Sequence, residues 1–363
     1  GGGLPHPAKI YRKKALKCLP FNALPSSNED KANNGEIPML GIIKPSSVKI
    51  EPKRIILQNR LAPGDILVMT AALRALHKAH PGKFLTDVDT PVPQIFENNP
   101  YVTKLSGDGQ FIDMHYPLIS DYNGEPGSGV SGRHFTDGYR KFLEEKLQIK
   151  IPRAGMTPDI FLNQSEKDWP SPILNESGYD GKYWVLNAGS KSDYTLKQYH
   201  RWQEVVNIFK GKFEGKVKLV QIGVGEHQHP PLFGVLDMRG KTNDHRVLYR
   251  LIHHAEGVLS SVSYPHHIAA ALNKPSVTIA GGRESIRWER YQSGQYLATN
   301  GAIDCCKSDG CWLSKLEECK HPVETNAGKA PLCMEMIQPS DIFISVNLYY
   351  LGGMLKIEET ANV

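Results

Sequence analysis

The sequence has no long apolar run. None of its 363 residues falls in an uninterrupted apolar stretch of about 18 or more, the length that a membrane-spanning helix needs. The basic segment formed by the first 25 residues also has no continuous apolar core. We therefore expect neither a membrane span nor a secretory signal, and a cytoplasmic enzyme is the default expectation.

Charge of one sign is also scarce. The 43 Lys and Arg residues exceed the 38 Asp and Glu residues by five, and no basic stripe with interleaved aromatic residues stands out. Nucleic-acid binding is therefore not expected. A mildly positive chain would suit a phosphate-bearing small ligand, although this balance does not require one.

Beyond residue 50, short apolar strands alternate with amphipathic helices. Arg54–Gln58 is a β-branched run, a segment with helical spacing follows, and Phe84–Val88 has the pattern of another strand. This order forms a βαβ unit and predicts a parallel sheet. A second series of the same kind begins near Lys182.

Two doubly wound α/β domains are therefore the predicted architecture. We place them at residues 51–172 and 173–337, with the joint in the proline-rich segment near Trp169. The remaining parts are an irregular extension at residues 1–50 and a helix with a tail at residues 338–363.

Ligands of open α/β sheets bind at strand-to-helix loops, and the first such loop contains Gly64 and Asp65. Asp65 has two interpretations. As a first-turn acid it would stabilise the positive end of its helix. At the mouth of a cleft it would accept a proton from a hydroxyl group.

The loop Asn187–Ser192 leaves a strand and is followed by Lys197. Its small residues expose backbone N–H groups, and with a nearby lysine they favour a phosphate group. A solvated polar loop is the alternative. The turn at Gln221 and Gly223 lacks the third glycine of a dinucleotide fingerprint, so we interpret it as a tight turn.

Two adjacent histidines, His266 and His267, begin a helix just after Pro265. Neighbouring helical residues project about 100° apart, so the pair is not expected to chelate one ion. We interpret one histidine as facing a phosphate group and the other as packing or capping. A structural role for both is the alternative.

Together these segments resemble the ADP-heptose:lipopolysaccharide heptosyltransferases of glycosyltransferase family nine, over about residues 54–300. The joint order of the segments is more specific than any one of them. In chain order they are GDILVMTAALRALHKAHPG, KQYHRWQEVV, MRGKTNDHRVLYRLIHHA and HIAAALNKPSVTIAGG. The cysteine-bearing stretch from Gly281 to Trp312 resembles one branch of that family.

The resemblance implies a GT-B fold, with two Rossmann-like domains facing across a cleft, and sugar transfer with inversion and no catalytic metal. Asp65 would be the general base, and Lys197 would stabilise the leaving diphosphate of a nucleotide-sugar donor. The residues implied for donor binding are Gly64, Asn187, Gly189, Ser190, Lys191, Gln221, Gly223, Ser263, Tyr264, His266, His267, Gly281 and Gly282.

The resemblance leaves the acceptor open between a glycan, a lipid-linked molecule with peripheral membrane association, and a protein. The acceptor-side loops, residues 107–134, are where relatives should vary most. One departure matters: the family's Asp-Ser/Thr-Gly loop is Val262-Ser263-Tyr264 here, so a donor-contacting carboxylate is absent. A non-catalytic nucleotide-sugar binder and a sugar-nucleotide epimerase of the same fold are the alternatives.

Five of the six cysteines lie close together in the sequence, whereas Cys18 stands alone. Four thiolates can bind zinc or iron tetrahedrally, and disulfides are the alternative. Iron-bearing protein heptosyltransferases that resemble the family favour a structural metal, with only one of two adjacent cysteines as a ligand. The candidate ligands are Cys305, Cys306, Cys311, Cys319 and Cys333.

Overall fold

Two parallel sheets organise the chain in the computed structural model, which describes residues 51–114, 133–189, 195–225, 229–307, 310–314 and 317–357. The first sheet has the order β2-β1-β3 and the second the order β6-β5-β4-β7-β8-β9, with parallel pairing throughout. The strands are β1 (Lys53–Gln58), β2 (Phe84–Asp89), β3 (Gln110–Asp113), β4 (Lys182–Asn187), β5 (Val217–Ile222), β6 (Leu236–Asp237), β7 (Gly257–Ser261), β8 (Ser276–Gly281) and β9 (Gly294–Ala298). An antiparallel hairpin, β10 (Pro322–Thr325) and β11 (Gly328–Pro331), follows.

Helices connect the strands and cover the sheets. They are α1 (Pro63–Ala79), α2 (Phe135–Leu147), α3 (Gln164–Asp168), α4 (Pro172–Ser177), α5 (Trp202–Phe213), α6 (His245–His254), α7 (Tyr264–Ala271), α8 (Leu332–Glu335) and α9 (Pro339–Leu351). Two short 3-10 turns lie at Pro93–Phe96 and Thr195–Lys197. None of the helices in the described ranges is long and apolar enough to cross a membrane.

The strand and helix patterns of the sequence recover the framework of both sheets. The predicted βαβ unit is β1, α1 and β2, and the predicted C-terminal helix is α9. The mixed α/β class with parallel sheets is therefore confirmed. The sequence pattern did not predict β3, which has only one buried residue, Ile112, nor did it predict α2. The domain boundary near Trp169 stays a prediction.

A single apolar core joins the two sheets. It runs from Ile55 and Leu57 in β1, through the buried face of α1, to Val185 in β4 and Val258 in β7. Helix α1 packs against both α2 and α7, and the small residues of α7 are buried in that contact. The first helix after β1 and the helix after β7 therefore meet with their N-termini at the same place.

A second core lies on the other face of the larger sheet. It contains Trp184 of β4, Phe209 of α5 and Tyr349 of α9, all of them almost fully buried. The indole N–H of Trp184 donates to the hydroxyl of Tyr350 at 2.9 Å. Helix α9 thus secures the large sheet from the side opposite to α1 and α7.

Candidate active site

The N-termini of α1 and α7 meet at Gly64. A Cβ atom placed on Gly64 would lie 3.1 Å from Cδ2 of His267 and 3.7 Å from Cα of Tyr264. Carbon atoms normally lie about 3.5–4.0 Å apart, so a side chain here would require the His267 ring to shift by a few tenths of an ångström. Glycine thus lets the first turn of α1 lie against the histidine pair.

Asp65 lies in that first turn and is partly exposed. The residue before the helix is Ala62, which has no side-chain capping bond, so the carboxylate is placed to favour the helix dipole. Burial raises the pKa of both Tyr139 and Glu289, and the negative charge of Asp65 raises both further. The Asp65 carboxylate therefore acts on two buried groups, one in α2 and one beyond β8.

His266 uses both of its ring nitrogens within the protein. Nε2 lies 2.8 Å from the backbone oxygen of Glu289, which can only accept, so Nε2 carries the proton. Nδ1 then accepts from the hydroxyl of Thr278 at 2.7 Å. Burial lowers the pKa of His266 to about 4, so the ring is neutral at pH 7. In this arrangement His266 binds the backbone of Glu289 and, as a neutral ring, does not offset the negative charge of a phosphate group.

His267 is also buried and neutral. Its Nδ1 lies 2.9 Å from the hydroxyl of Tyr291, and its Nε2 lies 3.7 Å from Oε1 of Glu289, beyond hydrogen-bond distance. Burial lowers its pKa well below the ordinary value, and the neighbouring His266 lowers it further. The two rings lie 5.2 Å apart between centroids and contact different partners.

Lys197 supplies the positive charge next to the histidine pair. Its Nζ lies 2.8 Å from Oε1 of Glu284, and its side chain is 22% exposed. Arg283 also pairs with Glu284 and donates from Nε to the backbone oxygen of Leu313 at 2.9 Å. Burial alone would raise the pKa of Glu284, but Lys197 and Arg283 outweigh it and hold that pKa below its usual value.

Glu289 lies beside Glu284 and behaves in the opposite way. Burial raises its pKa well above the ordinary value, and the charge of Glu284 raises it further, so Glu289 is the member of the pair that favours the protonated form. A side-chain hydrogen bond joins the two carboxyl groups. The result is one charged and one neutral carboxyl, with Lys197 on one side.

The sequence pattern indicated the segment that holds these carboxyls only as part of the cysteine-bearing stretch from Gly281 to Trp312, and it predicted no role for Glu284 or Glu289. The segment follows β8 and carries Arg283, Glu284, Glu289 and Tyr291, and Tyr296 follows in β9. A signal was present, because the dense charges of RESIRWERY directly follow a buried strand, at the edge of the sheet where ligands bind.

The predicted residues at the ends of β4 and β5 lie in their own strand-to-loop turns. Asn187 and Gly189 are buried at the end of β4, while Ser190 and Lys191 lie outside the described residues. The amide of Gln221 donates to the backbone oxygen of Pro230 and accepts from the N–H of Leu232. A Cβ on Gly223 would overlap the ring of His229, at 2.3 Å from Cγ. Gln221 and Gly223 therefore support the local turn.

Ser263 and Tyr264 also have partners inside the protein. The Ser263 hydroxyl donates to the backbone oxygen of Ser261 at 3.1 Å, and the hydroxyls of Tyr264 and Tyr249 form a hydrogen bond. Val262, where the resemblance would place an acid, is 5% exposed. The side-chain hydroxyls at the start of α7 are thus hydrogen-bonded within the protein.

Gly281 and Gly282 connect the candidate site to the cysteines. A Cβ on Gly281 would lie 3.2 Å from the sulfur of Cys333, and one on Gly282 would lie 2.9 Å from the sulfur of Cys306. The backbone N–H of Cys311 donates to the oxygen of Gly282 at 3.2 Å. The cysteine segment therefore packs directly on the residues that precede Arg283 and Glu284.

The five described thiols are free and close together. The pKa of Cys305 and that of Cys333 are raised to about 11, first by burial and then by neighbouring cysteines. Cys311 and Cys319 act on both. Beside them, ligand atoms of Asp304, Cys305 and His321 all lie within 4.8 Å of one another.

Comparisons with known proteins place this fold. No protein-family model and no curated protein sequence matches the chain. The glycosyl transferase family 9 protein of Veillonella parvula matches with 16% identity and a TM-score of 0.51, over 69% of this chain and 87% of that one. ADP-heptose LPS heptosyltransferase II of E. coli matches with 14% identity and a TM-score of 0.56, over 84% and 100%.

A third structure is the iron-containing dodecameric glycosyltransferase TibC of enterotoxigenic E. coli, with 15% identity and a TM-score of 0.57, over 82% of this chain and 76% of that one. At sequence identities of 14–16%, this similarity shows a shared fold and nothing further. The expected fold class is confirmed: the chain has the GT-B fold of the family nine heptosyltransferases.

Proposed function

We propose that the chain is an inverting glycosyltransferase that moves a sugar from a nucleotide-diphosphate donor to a hydroxyl acceptor. Asp65 is the general base, and Lys197 binds the diphosphate. The first donor to test is a nucleoside-diphosphate heptose, since one solved structure of TibC is in complex with ADP-D-β-D-heptose. The acceptor is a glycan, a lipid-linked molecule or a protein.

One observation carries this proposal. The charges of Asp65 and Lys197 both act on the same buried carboxyl, that of Glu289. The candidate base in α1 and the candidate phosphate-binding cation in the turn after β4 therefore both lie within electrostatic range of Glu289. Sugar transfer needs a base near the attacking hydroxyl and a cation near the leaving diphosphate, and Asp65 and Lys197 would supply them.

The reaction proceeds as a single displacement. The acceptor hydroxyl transfers its proton to the Asp65 carboxylate as its oxygen attacks the anomeric carbon. The bond from that carbon to the diphosphate oxygen breaks, and the diphosphate leaves with the electron pair. Lys197 stabilises the added negative charge, and the diphosphate takes the place beside Lys197 that Glu284 fills here.

A donor screen tests the proposal. We expect one of the ADP-, GDP-, UDP- or dTDP-sugars to raise the melting temperature and to release its nucleotide only when an acceptor is present. Asp65→Asn should still bind that donor but should lose most of the nucleotide release. Lys197→Ala should weaken donor binding itself.

Glu204→Gln is the matched control, because Glu204 is also a first-turn acid but is exposed in α5 and pairs with Arg201. Its nucleotide release should equal that of the wild-type chain. Unchanged turnover in Asp65→Asn would remove Asp65 as the base. Binding without turnover would indicate the non-catalytic relative, and conversion of the donor sugar without acceptor would indicate the epimerase.

For the cysteines we propose a structural zinc or iron. The donor types suit such an ion, since the five described cysteines are free thiols and ligand atoms of Asp304 and His321 lie within 4.8 Å of that of Cys305. Cys311, Cys319, Cys333 and one of Cys305 and Cys306 would hold the ion. Metal analysis of protein purified without nickel should find about one equivalent, and a small fraction of one would contradict the proposal.

A further inference from the structure

Two buried polar groups beside the candidate site lack the partners that such groups normally have. Within the described ranges, Oε2 of Glu289 receives no hydrogen bond from an N–H or hydroxyl group, and the hydroxyl of Tyr296 has no partner at all. Glu289 is 4% exposed. A buried polar group without its hydrogen bond is destabilising, so each one needs an explanation, and a bound water, ion or ligand is one such explanation.

The two groups both pack around His266. Burial raises the pKa of Tyr296, and the neighbouring carboxyls of Glu289 and Glu284 raise it further if they ionise. The ring of His266 lies 6.0 Å from that of Tyr296 between centroids, and His266 also binds the backbone of Glu289. The positions of both polar groups are therefore fixed by β9, α7 and the segment between β8 and β9, before any ligand binds.

The ligand chemistry follows from what these groups can offer. Lys197 and Arg283 already neutralise Glu284, and Glu289 is protonated, so the pair does not suit a metal cation. A carboxyl oxygen that accepts and a phenol that both donates and accepts suit a neutral hydroxyl group. Sugars present several of these close together.

We propose that Glu289 and Tyr296 bind a hydroxyl group of the transferred sugar and thereby select the donor. This inference rests on the proposed function, because the proposed base Asp65 and the proposed diphosphate-binding Lys197 both act electrostatically on Glu289.

Tyr296→Phe is the sharpest test, because it removes only a hydroxyl that no described group binds. The variant should be at least as stable as the wild-type chain in urea. Its affinity for the nucleoside-diphosphate sugar should fall about threefold to tenfold, the effect of one hydrogen bond, while its affinity for the free nucleoside diphosphate stays the same. Glu289→Met should show the same split, and Glu289→Gln should restore the sugar affinity.

Tyr349→Phe is the matched control, since its buried hydroxyl lies 2.9 Å from the backbone oxygen of both Ser276 and Ser293. It should lose stability without changing the ratio of the two affinities. If the wild-type chain binds donors and Tyr296→Phe keeps that ratio, the inference is wrong and the position holds only water. If the wild-type chain binds no nucleotide or nucleotide sugar, the proposed function itself is wrong.

Discussion

Replacing Glu284 and Glu289 one at a time by glutamine shows which carboxyl carries the negative charge. Glu284 is 6% exposed and faces Lys197 and Arg283. Removing one member of a buried ion pair typically costs about 3–5 kcal/mol, because the remaining charge is left unpaired. Lys197 and Arg283 are 22% and 15% exposed, so water compensates in part and the lower end, about 3 kcal/mol, applies.

Glu289→Gln should change the free energy of unfolding much less than Glu284→Gln. The side chain it replaces is already neutral, and the new amide can donate to Glu284 as the protonated carboxyl does. The change in unfolding free energy should therefore stay within about 1 kcal/mol.

Urea denaturation at pH 7 separates these outcomes. A loss of about 3 kcal/mol in Glu284→Gln corresponds to a fall in melting temperature of about 6 °C, at roughly 2 °C per kcal/mol for a large chain. Glu204→Gln, which breaks the exposed pair with Arg201, gives the baseline of about 0–1 kcal/mol. Equal destabilisation by Glu284→Gln and Glu289→Gln would refute the assignment of one charged and one neutral carboxyl.

Three further perturbations test other parts of the structure. Gly64→Ala places a Cβ 3.1 Å from His267 and should destabilise the chain by about 1 kcal/mol, whereas Gly211→Ala, in open space within α5, should stabilise it by about 0.5–1 kcal/mol in the same urea assay. Burial opposes ionisation of Asp137, but Arg153 and Arg140 outweigh it and lower its pKa to about 2. The contribution of this ionised carboxylate to the free energy of unfolding should therefore be fully present above about pH 4 and should fall by about 2 kcal/mol as the pH drops towards 2. Urea midpoints across that range should lose this fall in Asp137→Asn, and persistence of the fall would assign it to other groups. Cys319→Ser should lose bound metal and lower the melting temperature, whereas Cys18→Ser should do neither; equal metal content in both variants would remove Cys319 as a ligand.

The framework of the fold could be predicted because its signals are local. A β-branched run, Pro63 at a helix start and Pro81-Gly82 at its end define β1, α1 and β2 within the chain itself. The parallel order then follows from the βαβ rule.

Helix α2 escaped prediction because its two ends use unusual residues. His134 caps the N-terminus by accepting at Nδ1 from the backbone N–H of Thr136, a role that Ser, Thr, Asp or Asn usually fills. Gln148 ends the helix in the left-handed conformation with φ of 55°, where glycine is the usual residue. Rules that are based on the usual capping residues therefore do not predict either end of this helix.

The sequence likewise predicted only part of the candidate site. Asp65 and Lys197 follow strands, so the general rule for α/β sheets made them candidates, and their roles stay predictions. The pair of histidines could be judged unsuited to one ion from helix geometry alone. Their actual partners, Thr278 and Tyr291, lie 12 and 24 residues further along the chain and depend on how β8 and the following segment return to α7.

The protonation of Glu289 is the feature that could least be predicted from the sequence. Glu284 and Glu289 have the same side chain and lie five residues apart, and both are almost fully buried. What separates them is that Lys197 and Arg283 reach Glu284, so the first ionisation occurs there and its charge suppresses the second. Because Lys197 approaches from a different turn of the sheet, the neutral carboxyl is set by the fold, and any ligand that draws Lys197 away from Glu284 will change the charge of the pair.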